Sequence, residues 1–197
     1  MISTTAASRR LREQADRRKR IIEHTRALAE AEGWDNVTTR RLAEAIEYSQ
    51  PVLYSHFPGG KTEIMNAVAL LGFTELAAAA TSAAAQHATD RPRLLAVITA
   101  YLDFAAANPA VYTAMFALPI SARFASEHSD HELQTAFASI VTVLGQGSTP
   151  PRDVETAAEL LWSSLHGLAT LERDERLRQS AHHSRIKRLV DLFAEAT

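Results

Sequence analysis

The sequence predicts an all-α chain, and three observations carry that expectation. Apolar and polar residues nowhere alternate with the period of two that a half-buried strand needs. The seven glycines and seven prolines sit at breaks between stretches whose apolar residues repeat every 3.6 positions. The alanine-rich run around Ala77–Ala80 and Ala83–Ala85 is built from strong helix formers of small volume, suited to close helix packing. With 197 residues, 46% of them hydrophobic, the chain can bury a sizeable core in one or two domains.

The first clear helix is expected from about Asp16 to Glu32, with Ile21, Ile22, Thr25, Leu28 and Ala29 on one face and Gly33 ending it. Trp34 and Val37 then plug a small core. Thr38 and Thr39 are capping residues for a short second helix carrying Leu42, Ala43 and Ile46. After Glu47, Tyr48 and Ser49 a third short helix opens on Gln50 and Pro51, where a proline costs no hydrogen bond. Val52, Leu53 and Phe57 can pack inward while Gln50, Tyr54 and His56 point elsewhere, and Pro58, Gly59 and Gly60 stop the helix. A long helix is expected from Lys61 to about Gln86, another from Asp90 to about Asn108, and a short one from Pro109 to about Leu118. A helix over roughly 127–145 follows, and two more, near Arg152–Glu172 and His182–Ala196, finish the chain. Within the first of that pair, Ala157, Leu161, Ser164, Leu168 and Leu171 make a heptad-like seam, and Ala158, Trp162, Leu165 and Ala169 a second stripe beside it. Ile186, Leu189, Val190 and Phe193 give the last helix its apolar face. A helix with two apolar sides needs two partners, which a homodimeric four-helix bundle supplies.

Charge and composition narrow the function classes. The chain has no cysteine, so disulfides, thiolate zinc sites, iron–sulfur clusters and cysteine nucleophiles are excluded. No uninterrupted apolar run is long enough to span a bilayer and the basic N-terminus leads into no apolar signal core, so a cytoplasmic protein without a membrane partner is expected. The net charge of -2 hides a division: residues 1–61 hold 11 basic and 8 acidic residues, residues 62–197 hold 10 and 15. Seven of the basic residues fall in the first 20 positions, and a polyanion would meet this end first.

Two short helices joined by three residues, the second opening with polar side chains and lying near a basic arm, form the pattern of a helix-turn-helix. The polar third helix is then expected to face a nucleic-acid groove, with Pro51 opening it where its first turn approaches base edges. Residues 17–64, RRKRIIEHTRALAEAEGWDNVTTRRLAEAIEYSQPVLYSHFPGGKTEI, resemble the DNA-binding domain of the TetR family of bacterial repressors. The matching features are Gly33 with Trp34, the Thr38-Thr39-Arg40 entry, the Tyr54-x-His56-Phe57 end of the third helix, and Lys61.

The resemblance implies that Gln50, Pro51, Val52, Tyr54 and His56 face the major groove or its phosphates, with glutamine bonding adenine and Val52 or Pro51 packing on a thymine methyl. Thr39, Arg40 and Lys61 would hold phosphates. Arg17, Arg18, Lys19 and Arg20 would add charge near the duplex or reach a minor groove. Structural alternatives stand beside these roles: Tyr54 as a core residue with its hydroxyl at the surface, His56 as a cap on its helix C-terminus. Two departures from the family pattern matter. Glu47 stands where a turn glycine is usual, so a turn of another geometry is expected, and Pro58-Gly59-Gly60 adds a residue before Lys61.

In the C-terminal half, Trp162-Ser-Ser-Leu-His166-Gly167, with Asn108-Pro109-Ala-Val-Tyr112 and Met115-Phe116, resembles a Trp-His-Gly subgroup of the same family. Residues 1–61 would then be the arm and DNA-binding domain, and 62–197 an effector-binding and dimerisation domain. Phe73, Tyr101, Phe104, Tyr112, Met115, Phe116, Phe137, Trp162 and His166 are the candidate pocket residues for an apolar or neutral small molecule, with ordinary core packing as their alternative. The resemblance implies a repressor that leaves a palindromic operator when effector binding shifts its subunits. A DNA-binding architectural protein without effector is the second reading. An enzyme is the third: Glu127, His128, Asp130, His131 and Glu132, with His182 and His183, cluster acidic and imidazole groups, but no His-Glu-x-x-His or nucleophile-elbow pattern organises them. Neither a metal nor a cofactor is expected.

Overall fold

No glycine or proline interrupts residues 6–32, and the first helix uses that freedom in full. A computed structural model describes residues 6–116 and 131–194, and this part of the chain is helical, with no strand among the described residues. Helix α1 spans Ala6–Glu32, starting ten residues before the expected Asp16. Its first turns are exposed, so helix propensity and pairs such as Arg9 with Glu13, 3.9 Å apart, support them where packing does not. Gly33 ends α1 at φ 80°, a conformation that favours glycine.

The following elements keep close to their expected bounds: α2 is Thr39–Ala45, α3 Gln50–His56, α4 Gly60–Ala85, α5 Asp90–Ala107, α6 Pro109–Phe116, α7 His131–Gly145, α8 Val154–Arg173 and α9 His182–Ala194. The expected start of α7 near 127, the end of α6 at Leu118 and the last residues of α9 lie outside the described residues. The Thr38 hydroxyl accepts the Arg41 N–H at 3.2 Å to cap α2, and Asp153 accepts the Thr156 N–H at 3.0 Å to cap α8. By length and composition α4 could cross a membrane, its most apolar window having a mean hydropathy of 1.5. Lys61, Glu63 and Glu75 are its charged residues, and Ile64, Val68, Phe73 and Leu76 are buried within the protein.

The chain packs as two units, each built from residues distant in sequence. The first joins everything up to Gly72 to the segment beginning at Pro109, so it takes in α1–α3, the first half of α4, and α6. Ile21, Val37, Leu42, Leu53, Phe57 and Ile64 form its core, each at most 1% exposed. Thr25 is buried too, its hydroxyl donating to the Ile21 carbonyl at 2.7 Å.

Three polar contacts fasten α6 to α1 in this unit. Pro109 opens α6 without an N–H, and the next two, from Ala110 and Val111, are both accepted by the Glu30 carboxylate at 3.0 Å. The Trp34 indole N–H donates to the Ala110 carbonyl at 2.7 Å. Gly72, which lies inside α4 and not at a break, allows the close approach: a Cβ there would stand 2.5 Å from Val111 Cγ1 and 2.7 Å from Met115 Sδ.

The second unit contains the rest of α4, α5 and α7–α9, with α5 packed on α9 and α8, and α7 on α8. Asp90 accepts the Ser148 N–H at 2.7 Å, which ties the α7–α8 loop to the start of α5. Arg91 pairs with Asp191, and Glu172 receives Arg185 at 2.6 Å and the His182 ring nitrogen at 3.0 Å. On α8 the expected register of the two stripes is corrected. Leu161 is fully buried with Ala158 and Leu165, so it belongs to the stripe that faces the chain's own core. The other side carries Leu160 and Leu171, 59% and 37% exposed, because α8 turns about 100° per residue and the two stripes share a boundary there.

Glu30→Ala removes the acceptor for both free N–H groups of α6 and is expected to lower stability by about 1–2 kcal/mol, from the size of charge-assisted caps. Urea unfolding followed by circular dichroism measures it, and an unchanged midpoint would show that the clamp contributes nothing.

Candidate nucleic-acid interface

The α2–α3 connection is where the sequence expectation needs correction. Ile46 closes α2, and Glu47 follows at φ 56°, in the left-handed region. Tyr48 N–H donates to the Ala43 carbonyl at 2.9 Å and Glu47 N–H to the Glu44 carbonyl at 3.3 Å. This pair of bonds is the Schellman closure that a glycine usually makes, so the turn keeps its left-handed geometry with glutamate in the glycine position. The same closure ends α8, where Glu175 has φ 55° and Arg176 N–H donates to the Leu171 carbonyl at 2.8 Å.

That turn sets α3 so that its two sides face different surroundings. Leu53 and Phe57, just past the helix end, are fully buried, while Gln50, Pro51, Tyr54 and Ser55 are exposed and Val52 and His56 half-buried. Tyr54 is 44% exposed, so it is not the core residue of the alternative reading. Its ring lies over Gly60, where a Cβ would come within 3.3 Å of Cε1. Glycine at φ 60° thus lets α4 begin directly beneath the tyrosine.

Arg18 holds the other end of α3, a role that the basic run does not reveal. Its Nη1 donates to the His56 carbonyl at 2.6 Å, its guanidinium stacks 4.0 Å from the centre of the Phe57 ring, and it lies 3.5 Å from Glu63 Oε1. Glu63 in turn accepts the Gly59 N–H at 2.9 Å. The C-terminus of α3 is therefore capped by Arg18. The His56 side chain has its pKa pushed down, by burial first and then by Arg17 and Arg18, which favours the neutral imidazole. The signal that could have found Arg18 is its register: positions 18, 21 and 25 fall on one side of α1, the side of Ile21 and Thr25.

The proposed phosphate ligands stand in three different situations. Thr39 is half-buried at the start of α2. Arg40 is exposed and pairs with Glu44 at 2.9 Å, an exposed i,i+4 contact of little energy. Lys61 donates to the Trp34 carbonyl at 2.6 Å, which leaves two of its three donors. Arg20 reaches the Tyr48 hydroxyl at 3.3 Å.

Residues 21–68 match the family model of bacterial regulatory proteins of the tetR family, and residues 94–195, more than half of the chain, match the tetracyclin repressor-like C-terminal domain. The chain belongs to the TetR family. An HTH-type transcriptional regulator of Mycobacterium tuberculosis, Rv0681, is 26% identical over 157 residues, covering 79% of this chain and 69% of that protein. A protein of unknown function from Rhodococcus sp. RHA1 has a similar structure, with a TM-score of 0.74 at 21% identity over 90% of this chain and 93% of the other. The TetR-family regulator PfmR from Thermus thermophilus gives a TM-score of 0.62 at 22% identity, over 89% and 97%. As a TetR-family member the protein is a DNA-binding transcriptional regulator and not an enzyme.

The candidate effector residues are divided between the two units of this TetR-family chain. Tyr112, Met115 and Phe116 belong to the first, where the Tyr112 and Phe116 ring centres lie 4.7 Å apart. Phe73, Tyr101, Phe104, Phe137, Trp162 and His166 belong to the second, where Phe137 meets Trp162 at 6.2 Å. Phe73, Tyr101, Tyr112 and Met115 are buried, and Phe104, Phe116, Phe137, Trp162 and His166 half-buried. Burial and Arg173 push the His166 pKa down, which favours a neutral ring. Grooves of the second unit lie elsewhere. One of about 690 Å³ runs between α5 and α9, and one of about 410 Å³ between α8 and α9. Neither is lined by any of these nine residues.

Among the described residues no three His, Asp or Glu side chains gather as a metal site. Of the acidic and histidine cluster, Glu127, His128 and Asp130 lie outside the described residues, while His182 is bound to Glu172 and lies edge-on to His183.

Glu47→Gly relieves the left-handed glutamate and should raise stability by about 0.5–1 kcal/mol, net of the extra freedom glycine gains when unfolded. The midpoint of thermal unfolding tests this, and a fall would contradict the strain assigned to the turn.

Proposed function

We propose that the protein is a homodimeric repressor whose α3 helices read two half-sites of a palindromic operator. The observation that carries this is the division of α3: Leu53 and Phe57 anchor it, and Gln50, Pro51 and Tyr54 stand exposed. Glutamine offers both a donor and an acceptor to adenine, and the proline ring an apolar contact for a thymine methyl. Val52 and His56 complete the reading edge, the latter as an uncharged ring. Thr39, Arg40 and the two remaining donors of Lys61 hold the backbone on either side and fix register without reading sequence. Residues 1–61 are the DNA-binding part and 62–197 the regulatory part, and DNA as the partner puts the protein in the cytoplasm.

Exposed leucines on the last two helices support the dimer. Leu160 and Leu171 on α8 and Leu192 on α9 are 59%, 37% and 53% exposed, and the groove between the helices is lined by Gly167, Leu168, Leu171, Leu189 and Leu192. Apolar surface of this kind is stabilised by a second copy laid across it in a four-helix arrangement. Two reading heads are then held about 34–36 Å apart, the spacing of successive major grooves. An apolar or neutral effector acts by favouring a pairing with another spacing, and it weakens operator binding only by its own difference in affinity between the two states.

Two measurements test this reading. Tyr54→Ala should weaken binding to a selected duplex by about 1–3 kcal/mol, roughly 5- to 150-fold, with helicity unchanged. Equal affinity in a gel-shift titration would remove α3 from the interface. Leu171→Asp with Leu192→Asp should convert the dimer to monomers in sedimentation velocity, and a persistent dimer would place the interface elsewhere.

A further inference from the structure

Resting on the reading of α3 as the DNA-facing helix, we propose that one side of the exposed amino-terminal half of α1 is a second DNA-contacting surface. It would grip backbone that flanks each half-site. Helix α1 is ten residues longer at its start than its apolar periodicity calls for. The helix continues to Ala6, and residues 8–17 are exposed, so the chain keeps a rod there that its own core does not use.

Charge is arranged on that rod by helical register. Arg10 lies seven residues before Arg17, and Arg9 eleven before Arg20, separations of two and three whole turns. Arg9, Arg10, Arg17 and Arg20 therefore share one side of α1, adjoining the buried side of Ile21 and Thr25. The C-terminal pair fixes where that side points: Arg20 reaches the Tyr48 hydroxyl just ahead of α3, and Arg17 stands close enough to α3 to act electrostatically on His56. The stripe is thus continuous with the helix-turn-helix edge and runs away from it. From Arg20 to Arg9 the rise is about 16 Å, equal to about five base pairs of duplex.

Arg12 and Lys19 lie together on a neighbouring side of the helix, about 120° round from the middle of the stripe, Arg12 donating to the Ser8 carbonyl and Lys19 pairing with Glu23 at 3.7 Å. Glu13 and Asp16 are the carboxylates on the cationic side, Glu13 standing 3.9 Å from Arg9 in an exposed pair. Such a pair is weak enough to yield to a phosphate. Arg18 is not part of the stripe, since it is committed to the His56 carbonyl and Glu63.

The test compares Arg9→Ala/Arg10→Ala with Arg12→Ala/Lys19→Ala in the full chain, which removes equal charge from the two sides. Binding is measured across a salt series on duplexes carrying the selected site with long or trimmed flanks. The first pair should reduce the slope of log K against log salt by about 2–4 per dimer, at 0.9 per phosphate, and should abolish the benefit of the outer roughly five base pairs. Base preference within the half-site should stay as in the wild type. The second pair should change the slope much less. Equal losses in both pairs, or no loss in either, would overturn the stripe while leaving α3 as the reader. A wild-type protein that bound no duplex would overturn both.

Discussion

A helix of seven residues such as α3 cannot stand by itself, because isolated helices much shorter than about 12–15 residues do not persist in water. Everything that α3 does therefore depends on how it is held. Leu53 and Phe57 supply the apolar anchorage, about 1.5–3 kcal/mol each when fully buried. The Schellman turn at Glu47 sets its entry, and Arg18 takes its last carbonyl while lying on the Phe57 ring. Burial fixes the inner side of α3 closely enough that the outer side is offered in one orientation. That is the condition for reading bases by direct contact.

Much of this was legible in the sequence because helices advertise themselves locally. Apolar spacing at Ile21, Thr25 and Ala29, the capping Thr38, and Pro51 in an opening turn each act within a few residues, and the matching elements sit close to where they were expected. What was not legible depended on distance. Arg18 reads as one more cation in a basic run, since its partners stand 38 and 45 residues away. Lys61 reads as a free ammonium until the Trp34 carbonyl is found beside it. On α8 the sequence shows two apolar stripes but not which of them its own core will claim, and Leu161 goes to the core side. At Glu47 the expectation failed for the opposite reason. The local cost of a left-handed glutamate, about 1 kcal/mol, is smaller than what the packing of α2 on α3 gains by keeping the turn.

The candidate effector pocket was the least legible part, since aromatic residues at helical spacing serve a core and a cavity equally well. The fold divides those residues, three on α6 and six in the second unit. The placement of α6 has a consequence for regulation. Matched by the C-terminal family model, it packs in the unit that holds α1–α3, through Glu30 on its first N–H groups, Trp34 on its carbonyl and Gly72 where a side chain would clash. Trp34 also accepts Lys61 on its backbone carbonyl, so one residue joins α6 to the opening turn of α4. A displacement of α6 must carry α1 with it or break three hydrogen bonds within the same unit.

In the proposed function α3 reads bases from the major groove as one of a symmetric pair. Methylation interference on a duplex selected by the protein tests it most directly, because guanine N7 lies in the major groove and adenine N3 in the minor groove. N7 methylation should block binding in two clusters centred about 10 base pairs, or a multiple of that, apart. Interference confined to adenine N3, or a single unpaired cluster of N7 positions, would contradict it.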